Sequence, residues 1–238
     1  MAAANKKNSS ALKLSVIIPV FNEEGTIKKV IEAVAGLPLE KEIIVVNDGS
    51  TDGTGRVLKQ FSFQFPFRVF SHLRNKGKGA AIKTGVAVAQ GKYVIVQDAD
   101  LEYEPKQIIT LLEVADRKGA QVVYGSRFAG QVREMSTFFR LGNLFLTALT
   151  NVLFGSRLTD METAYKLFRR ELIQSINWQS LRFDFEPEIT VRILKKKIPI
   201  YEVPINYQAR SFDKGKKISW YDGVRAAGLL LKLKYFSP

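Results

Sequence analysis

Between Leu14 and Gly125 short apolar runs alternate with stretches in which apolar residues recur every three or four positions. The runs Leu14–Val20, Glu42–Asn47, Tyr93–Gln97 and Gln121–Gly125 predict buried strands, and Arg68–Ser71 predicts an edge strand. The periodic stretches Glu24–Ala35, Thr51–Phe61, Lys78–Ala89 and Pro105–Lys118 predict helices. Unalternating apolar strands separated by helices imply an α/β fold, with a mostly parallel sheet covered on both faces. In such sheets ligands bind beyond the carboxyl ends of the strands. Asn22, Asp48 and Asp98 each follow one of those ends, so a site is expected where the three converge.

The second half is less regular. Thr137–Phe154 is apolar nearly all round, with no charge from Leu141 to Ser156. It falls short of the roughly 20 apolar residues a spanning helix needs. That leaves a core helix or an interfacial helix lying on a membrane, and the pattern taken alone favours the core. Glu188–Lys195 predicts a helix and Ile200–Tyr207 a strand. Trp220–Tyr235 predicts a helix rich in leucine and aromatic residues and carrying Arg225, Lys232 and Lys234. No repeat, low-complexity segment or dividing linker is visible. One domain over residues 12–236, after a flexible tail at 1–11, is the expected organisation.

Composition narrows the chemistry. A chain of 238 residues, 46% hydrophobic and 25% charged, suits a folded protein with a sizeable core. The absence of cysteine excludes a disulfide scaffold and thiolate metal sites, and a single histidine, His72, excludes a multi-histidine zinc centre. The first eleven residues are polar and carry no apolar leader, which points to cytoplasmic residence. The formal charge is +13. Arg192–Pro238 holds eleven Lys/Arg against three Asp/Glu, hence +8 of that total. A basic end suits an anionic partner: nucleic acid, an anionic membrane surface or a phosphorylated ligand. Nucleic acid is the weakest of the three. It leaves the carboxylates at three strand ends unexplained, and aromatic–basic clustering for base stacking is absent outside the last helix.

Asp98-Ala99-Asp100 leaves an apolar strand with two carboxylates on one face. Two adjacent anions call for a cation, and Mg²⁺ typically takes one or two carboxylates together with substrate phosphates. An acidic turn before Pro105 is the plain alternative. After the first strand, Asn22 and Glu23 offer polar groups to a base or ribose. They read equally as a helix N-cap and, with Glu24, first-turn acids. Asp48 could accept from a base N–H or only order its own turn. Arg74–Gly79, with Lys78, places glycines and cations before a helix N-terminus, an anion-friendly arrangement without the spacing of a phosphate-binding Walker loop. Arg127, Arg140, Arg210 and the loop carrying Lys214, Lys216 and Lys217 supply further phosphate-binding types.

The segments PVFNEE, NDGSTDGT, NKGKGAAIKTG, QDADLE, YGSRF and DMETAYKLFRR occur in this order, and the chain in this respect resembles glycosyltransferase family 2. The later FDFEPEI, YEVPINYQAR and GKKISWYDG resemble its polyprenol-phosphate branch, which includes dolichol-phosphate mannose synthases and bacterial relatives. The resemblance runs from Leu14 to Tyr235. It implies a GT-A, Rossmann-like fold and a metal-dependent inverting transferase using a nucleoside-diphosphate sugar. By position, Pro19, Phe21, Asn22, Glu23 and Asp48 would hold the nucleoside, with Lys78 also on the donor side. Asp98 and Asp100 would meet the diphosphate and a Mg²⁺ or Mn²⁺ ion, with Glu102 completing the set. Mannose synthases frequently carry glutamine at the place of Glu102, which bears on donor identity. Arg127, Arg140, Arg210 and Lys216 or Lys217 would meet the acceptor phosphate and the donor diphosphate.

The resemblance also makes the segments 137–155 and 218–236 interfacial helices at the membrane surface. Many relatives carry additional C-terminal membrane helices. This chain resembles the shorter type, peripheral on the cytoplasmic face, with room for a separate membrane-anchoring subunit. The expected reaction moves a hexose of mannose or glucose type, from a GDP-mannose or UDP-glucose type of donor, to a polyprenyl or dolichyl phosphate. A lipid monophosphate is already anionic near neutrality, its second pKa being roughly 6, and needs no general base. Transfer to a sugar hydroxyl is the alternative, and would need one. Asp160 is then the candidate and Glu162 the second, although Asp160 also reads as ordering its loop. His72, at a strand end, reads as structural.

Overall fold

A computed structural model describes residues 12–210 and 220–236, so the expected tail at 1–11 lies outside the described residues. Strands β1 (Leu14–Val20), β2 (Lys41–Asn47), β3 (Arg68–Ser71) and β4 (Tyr93–Val96) alternate with helices α1 (Ile27–Ala35), α2 (Thr54–Phe61) and α3 (Lys78–Val88). Pro105–Gln107 forms a 3₁₀ turn that leads into α4 (Ile108–Lys118), then β5 (Val122–Ser126) and a short β6 (Val132–Arg133). The remainder is α5 (Thr137–Phe154), β7 (Lys166–Arg169), α6 (Arg170–Ser175), α7 (Phe185–Lys195), β8 (Ile200–Pro204), β9 (Tyr207–Gln208) and α8 (Trp220–Tyr235).

Seven strands form one sheet in the order β3-β2-β1-β4-β7-β5-β8. All neighbours are parallel except at β7, which runs antiparallel to both β4 and β5. The expected mostly parallel α/β sheet is present. β1 is buried at every position because both of its faces are covered. Leu14, Val16, Ile18 and Val20 join a core with α1, α2 and α4. Ile17 points the other way, into a core with α3, α6 and α7. At the carboxyl ends the order reverses between β1 and β4, which opens the crevice expected of such sheets.

Several boundaries differ from the sequence expectation. α1 starts at Ile27, not Glu24, because Asn22 adopts φ 52° and a turn brings the Thr26 and Ile27 amides onto the Glu23 carbonyl. α2 starts at Thr54 rather than Thr51. The Ile200–Tyr207 run divides at Pro204, where β8 ends, and Tyr207 pairs with β6 instead. β7 and α6 carry no sequence prediction. A central strand that opens on a lysine lacks the apolar signature, and Lys166 is nonetheless buried.

The core reading of Thr137–Phe154 is overturned. Only Leu146, Thr147 and Thr150 of α5 are buried, and Leu146 packs in a cluster with Ala226, Leu230 and Leu233 of α8 and Val191 of α7. Phe138, Leu141, Phe145 and Val152 stand 61–82% exposed. By length and composition α5 is just sufficient to cross a membrane. One of its sides, however, walls a polar pocket.

Candidate active site

The loops after β1 and β2 are stitched together. The Thr51 amide donates to Asn22 Oδ1 at 2.8 Å, Asn22 Nδ2 donates to Thr51 Oγ1 at 3.2 Å, and the Asn22 amide donates to Ser50 Oγ at 3.0 Å. Asparagine tolerates the left-handed backbone that this geometry needs. Asn22 is therefore not the N-cap of α1, a place taken by Thr26, and it does not line the pocket. Glu24 likewise accepts from the Gly53 amide at 2.6 Å, at the start of α2.

Pro19, Phe21, Glu23 and Asp48 line one end of a cavity of about 670 Å³. Asp48 is buried and its carboxylate is shared among the Lys76 amide (3.0 Å), the Gly77 amide (2.7 Å) and His72 Nδ1 (2.6 Å). His72 is held in turn by Thr84 at 2.9 Å, which fits its structural reading. The amides at the start of α3 thus already have an anion, Asp48. The glycines there serve packing. Gly77 has φ +101°, and a Cβ on Gly77 or Gly79 would sit 2.3–2.4 Å from the Leu181 or Ser180 carbonyl oxygen. Glu188 fixes that facing segment by accepting from the Gln179 and Ser180 amides. This loop presents Asn75, Gly77 and the Lys78 side chain to the pocket, with the Lys76 and Gly77 amides already engaged by Asp48.

Lys78 Nζ lies 2.9 Å from both Asp98 and Glu186. Burial alone would lower its pKa, but the charges of Asp98 and then Glu186 hold the ammonium above the ordinary lysine range. Asp100 is pushed up to about 7 by burial, then by Asp98 and Glu102. Asp100, raised in this way beside Asp98, fits a hard divalent cation held between the two carboxylates, which relieves their repulsion. Glu102 is placed differently. Its oxygens accept from Tyr207 Oη at 2.5 Å and the Arg210 amide at 2.7 Å, so it ties β9 to the Asp98–Asp100 loop. Among the described residues no three histidine, aspartate or glutamate side chains form a ready metal cage. Asp98 and Asp100 are the residues that could hold the ion.

Arg127, just beyond β5, is buried and forms a two-pronged pair with Asp160 (2.7 and 2.8 Å), while a third bond joins its amide to the same carboxylate at 2.9 Å. Asn143 of α5 accepts from the guanidinium at 3.2 Å. Asp160 is fully buried and outside the pocket lining. With its oxygens engaged by Arg127 it is placed to orient that arginine, not to take a substrate proton. Arg210 pairs with Glu23 through two bonds of 2.7 and 3.0 Å, linking the loop after β1 to the segment before 211–219. Arg140 is exposed on α5 and outside the pocket lining, so it is not gathered with the others. Lys214, Lys216 and Lys217 lie outside the described residues.

Sequence reasoning assigned no role to Glu186, Tyr103, Tyr207 or Asn143, all of which line the pocket. Glu186 reads as an ordinary first-turn acid before Pro187, and only its pairing with Lys78 across the fold reveals it. Beyond these polar groups the cavity opens between α5 and α8, lined by Met135, Phe138, Phe139, Phe145, Leu146, Val224 and Ala226. A charged floor leads into an apolar mouth.

The glycosyl transferase family 2 profile matches residues 15–176. The polyprenol monophosphomannose synthase of Mycolicibacterium smegmatis is 29% identical over 211 residues, covering 84% of this chain and 79% of that one. The dolichol-phosphate mannosyltransferase of Pyrococcus furiosus is 27% identical over 217 residues, covering 86% of this chain; the chain spans only 59% of that protein's length. The fold is also that of glucosyl-3-phosphoglycerate synthase from Mycobacterium tuberculosis, a GT-A enzyme crystallised with Mn²⁺ and UDP (TM-score 0.72, 22% identity, 95% of this chain and 81% of that one). The profile takes in both stitched loops, the Asp98–Asp100 turn and the Arg127–Asp160 pair; on that match the chain belongs to glycosyltransferase family 2, with polyprenol-phosphate sugar synthases among its relatives.

Proposed function

We propose that this chain moves a hexose from a nucleoside-diphosphate sugar to a polyprenyl or dolichyl phosphate at a membrane surface, with inversion at the anomeric carbon. The observation that carries the reading is the continuity of the pocket, from the Lys78–Asp98–Asp100 floor to an apolar mouth between α5 and α8. A water-soluble donor suits the floor and a lipid chain suits the mouth. The same two helices expose Phe138, Phe145 and Val224 at the rim of the pocket and Leu141, Val152 and Leu231 away from it. Exposed apolar rows flanked by Arg140, Lys232 and Lys234 suit an anionic cytoplasmic leaflet. On this reading α5 lies along the surface, because a spanning orientation would carry its pocket-lining side into hydrocarbon.

The nucleoside would rest against Pro19, Phe21 and Asp48. Mg²⁺ or Mn²⁺ held by Asp98 and Asp100 would supply charge neutralisation for the departing nucleoside diphosphate. Lys78 adds a fixed cation at the same place. The acceptor phosphate oxygen forms its bond to the anomeric carbon as the bond to the diphosphate oxygen breaks. Being anionic, the acceptor needs no base, and catalysis reduces to orientation and charge stabilisation. Arg127, fixed by Asp160 and Asn143, is the cation set to orient the acceptor phosphate.

The test is a donor panel. Purified protein, Mg²⁺ and a short polyprenyl phosphate are incubated with GDP-mannose, UDP-glucose or UDP-N-acetylglucosamine. Lipid-linked sugar from one donor, lost with EDTA, is the expected result. Transfer only to a soluble hydroxyl acceptor overturns the reading. Sedimentation with anionic vesicles tests the membrane surface separately, and failure to bind there would call for a membrane-anchoring subunit.

A further inference from the structure

Glu162 projects from the loop between Asp160 and β7 into the pocket. That loop is held from below by Lys166, whose Nζ donates to the Met161 and Thr163 carbonyls at 2.7 and 2.6 Å. The stem of Glu162 is partly open to the cavity, whereas Oε1 is buried without a hydrogen-bond partner. A buried carboxyl oxygen left unpaired costs free energy, and such atoms call for an occupant. The reaction as derived above assigns it none.

Its place along the pocket indicates what that occupant is. Glu186 reaches Asp98 through Lys78, and Glu162 is close enough to Glu186 for that charge, after burial, to push its carboxyl up to about 8. At neutral pH the group therefore offers a donor as well as an acceptor. Glu162 thus shares the part of the pocket that holds Glu186 and Lys78, beside the groups read as facing the diphosphate. On the donor reading proposed above, the group that follows the diphosphate is the sugar.

We propose that Glu162 determines which sugar is transferred, by turning its carboxyl, one oxygen of which is otherwise buried without a partner, onto one hydroxyl of the donor hexose. The proposal rests on the nucleotide-sugar reading and not on the acceptor. A site built to hydrogen-bond a hydroxyl strongly rejects the analogue lacking it, because its own polar group is then left unpaired.

The experiment uses the donor selected by the panel, its nucleoside diphosphate alone, and its deoxy analogues, with binding followed by calorimetry and turnover by kcat/KM. For the unmodified chain one deoxy position is expected to lose about 100-fold in kcat/KM, the upper range for leaving one buried hydrogen-bonding group unpaired, the others far less. E162A should erase that discrimination while binding the nucleoside diphosphate as before. E162Q, which keeps the shape and both hydrogen-bonding capacities, should restore most of it, and it stands in if E162A does not fold. Uniform tolerance of every deoxy analogue by the unmodified chain overturns the proposal without any variant. Discrimination unchanged in E162A, or shifted equally at all positions by E162Q, overturns it while leaving the nucleotide site intact. Failure to bind either GDP or UDP overturns the donor reading and this assignment together.

Discussion

The two sides of the pocket, the one proposed for the donor and the one proposed for the acceptor, are built on opposite principles. On the donor side polar groups are saturated by one another. Asp48 holds His72 and two amides, Asn22 holds Thr51, and Glu102 holds Tyr207 and the Arg210 amide. On the acceptor side α5 buries three residues and leaves a row of phenylalanine, leucine and valine in the open. The donor side is thus a pre-organised cradle whose exactness comes from buried hydrogen bonds. The acceptor side is a surface whose natural complement is something apolar that the described residues do not provide. Substitutions on the first should alter chemistry and stability, and substitutions on the second should alter partition and acceptor use.

The largest effect is expected at Asp98 and Asp100, the carboxylates proposed to hold the metal. Asp100→Asn should lower kcat/KM by about 1000-fold, the upper range for removing one charge-stabilising group. The fold should survive, since Asp100 receives only the Glu102 amide at 3.1 Å. Turnover by Asp100→Asn close to the parent value would remove the carboxylate pair from the mechanism. Next comes Asp160→Asn. Breaking a buried ion pair leaves Arg127 uncompensated, at about 3–5 kcal/mol of stability. Urea unfolding should register the loss together with lower activity. The double change Arg127→Met with Asp160→Leu should recover stability but not activity. Stability unchanged in Asp160→Asn, with a displaced pH–rate profile, would return Asp160 to the role of a base.

How much of this was legible in the sequence follows the same division. Strand cores announce themselves because burial on two faces demands unbroken apolar runs, and β1, β2, β4 and β5 lie within a residue or two of expectation. The carboxylates at strand ends were legible for the same reason, since topology brings those ends together. Long-range pairing was not. Lys78 meets Glu186, and Arg210 meets Glu23, across 108 and 187 positions of chain, distances at which local pattern carries no information. β7 escaped notice because Lys166 satisfies its ammonium on two backbone carbonyls, so a charged residue occupies a central strand without the usual penalty. The apolar run of α5 was visible, but the run by itself does not distinguish a helix buried by protein from one awaiting a bilayer.

A moderate effect is expected on that exposed face. Leu141→Ser with Val152→Ser changes two residues that stand 61% and 82% exposed and do not line the pocket. Unfolding free energy should move by less than about 0.5 kcal/mol. Partition onto anionic vesicles should fall about 100-fold, given two apolar side chains that contribute about 1.5 kcal/mol each, the low end for full burial. Nucleoside-diphosphate affinity should not change. Equal vesicle binding by both proteins would break the comparison, because the exposed row would then serve some other contact.

The smallest effect sharpens the donor side. Asn22 combines two contributions, its bonds to Thr51 and a backbone at φ 52°. Asn22→Ala removes the bonds and also places a less tolerant residue in the left-handed region, for a combined cost of about 2 kcal/mol. Asn22→Gly removes the same bonds but is at ease at that φ, so its cost should be about half. Because Asn22 faces Thr51 and not the cavity, nucleoside-diphosphate affinity should fall by less than about 10-fold in either variant, in proportion to the loosening of the loop. The ordering of the two variants is the informative quantity. Alanine worse than glycine in both stability and affinity means that Asn22 acts by holding the loop that carries Phe21 and Glu23. Equal, large losses of affinity with stability retained would mean that the side chain turns to meet the nucleoside once it binds, as the family resemblance implies.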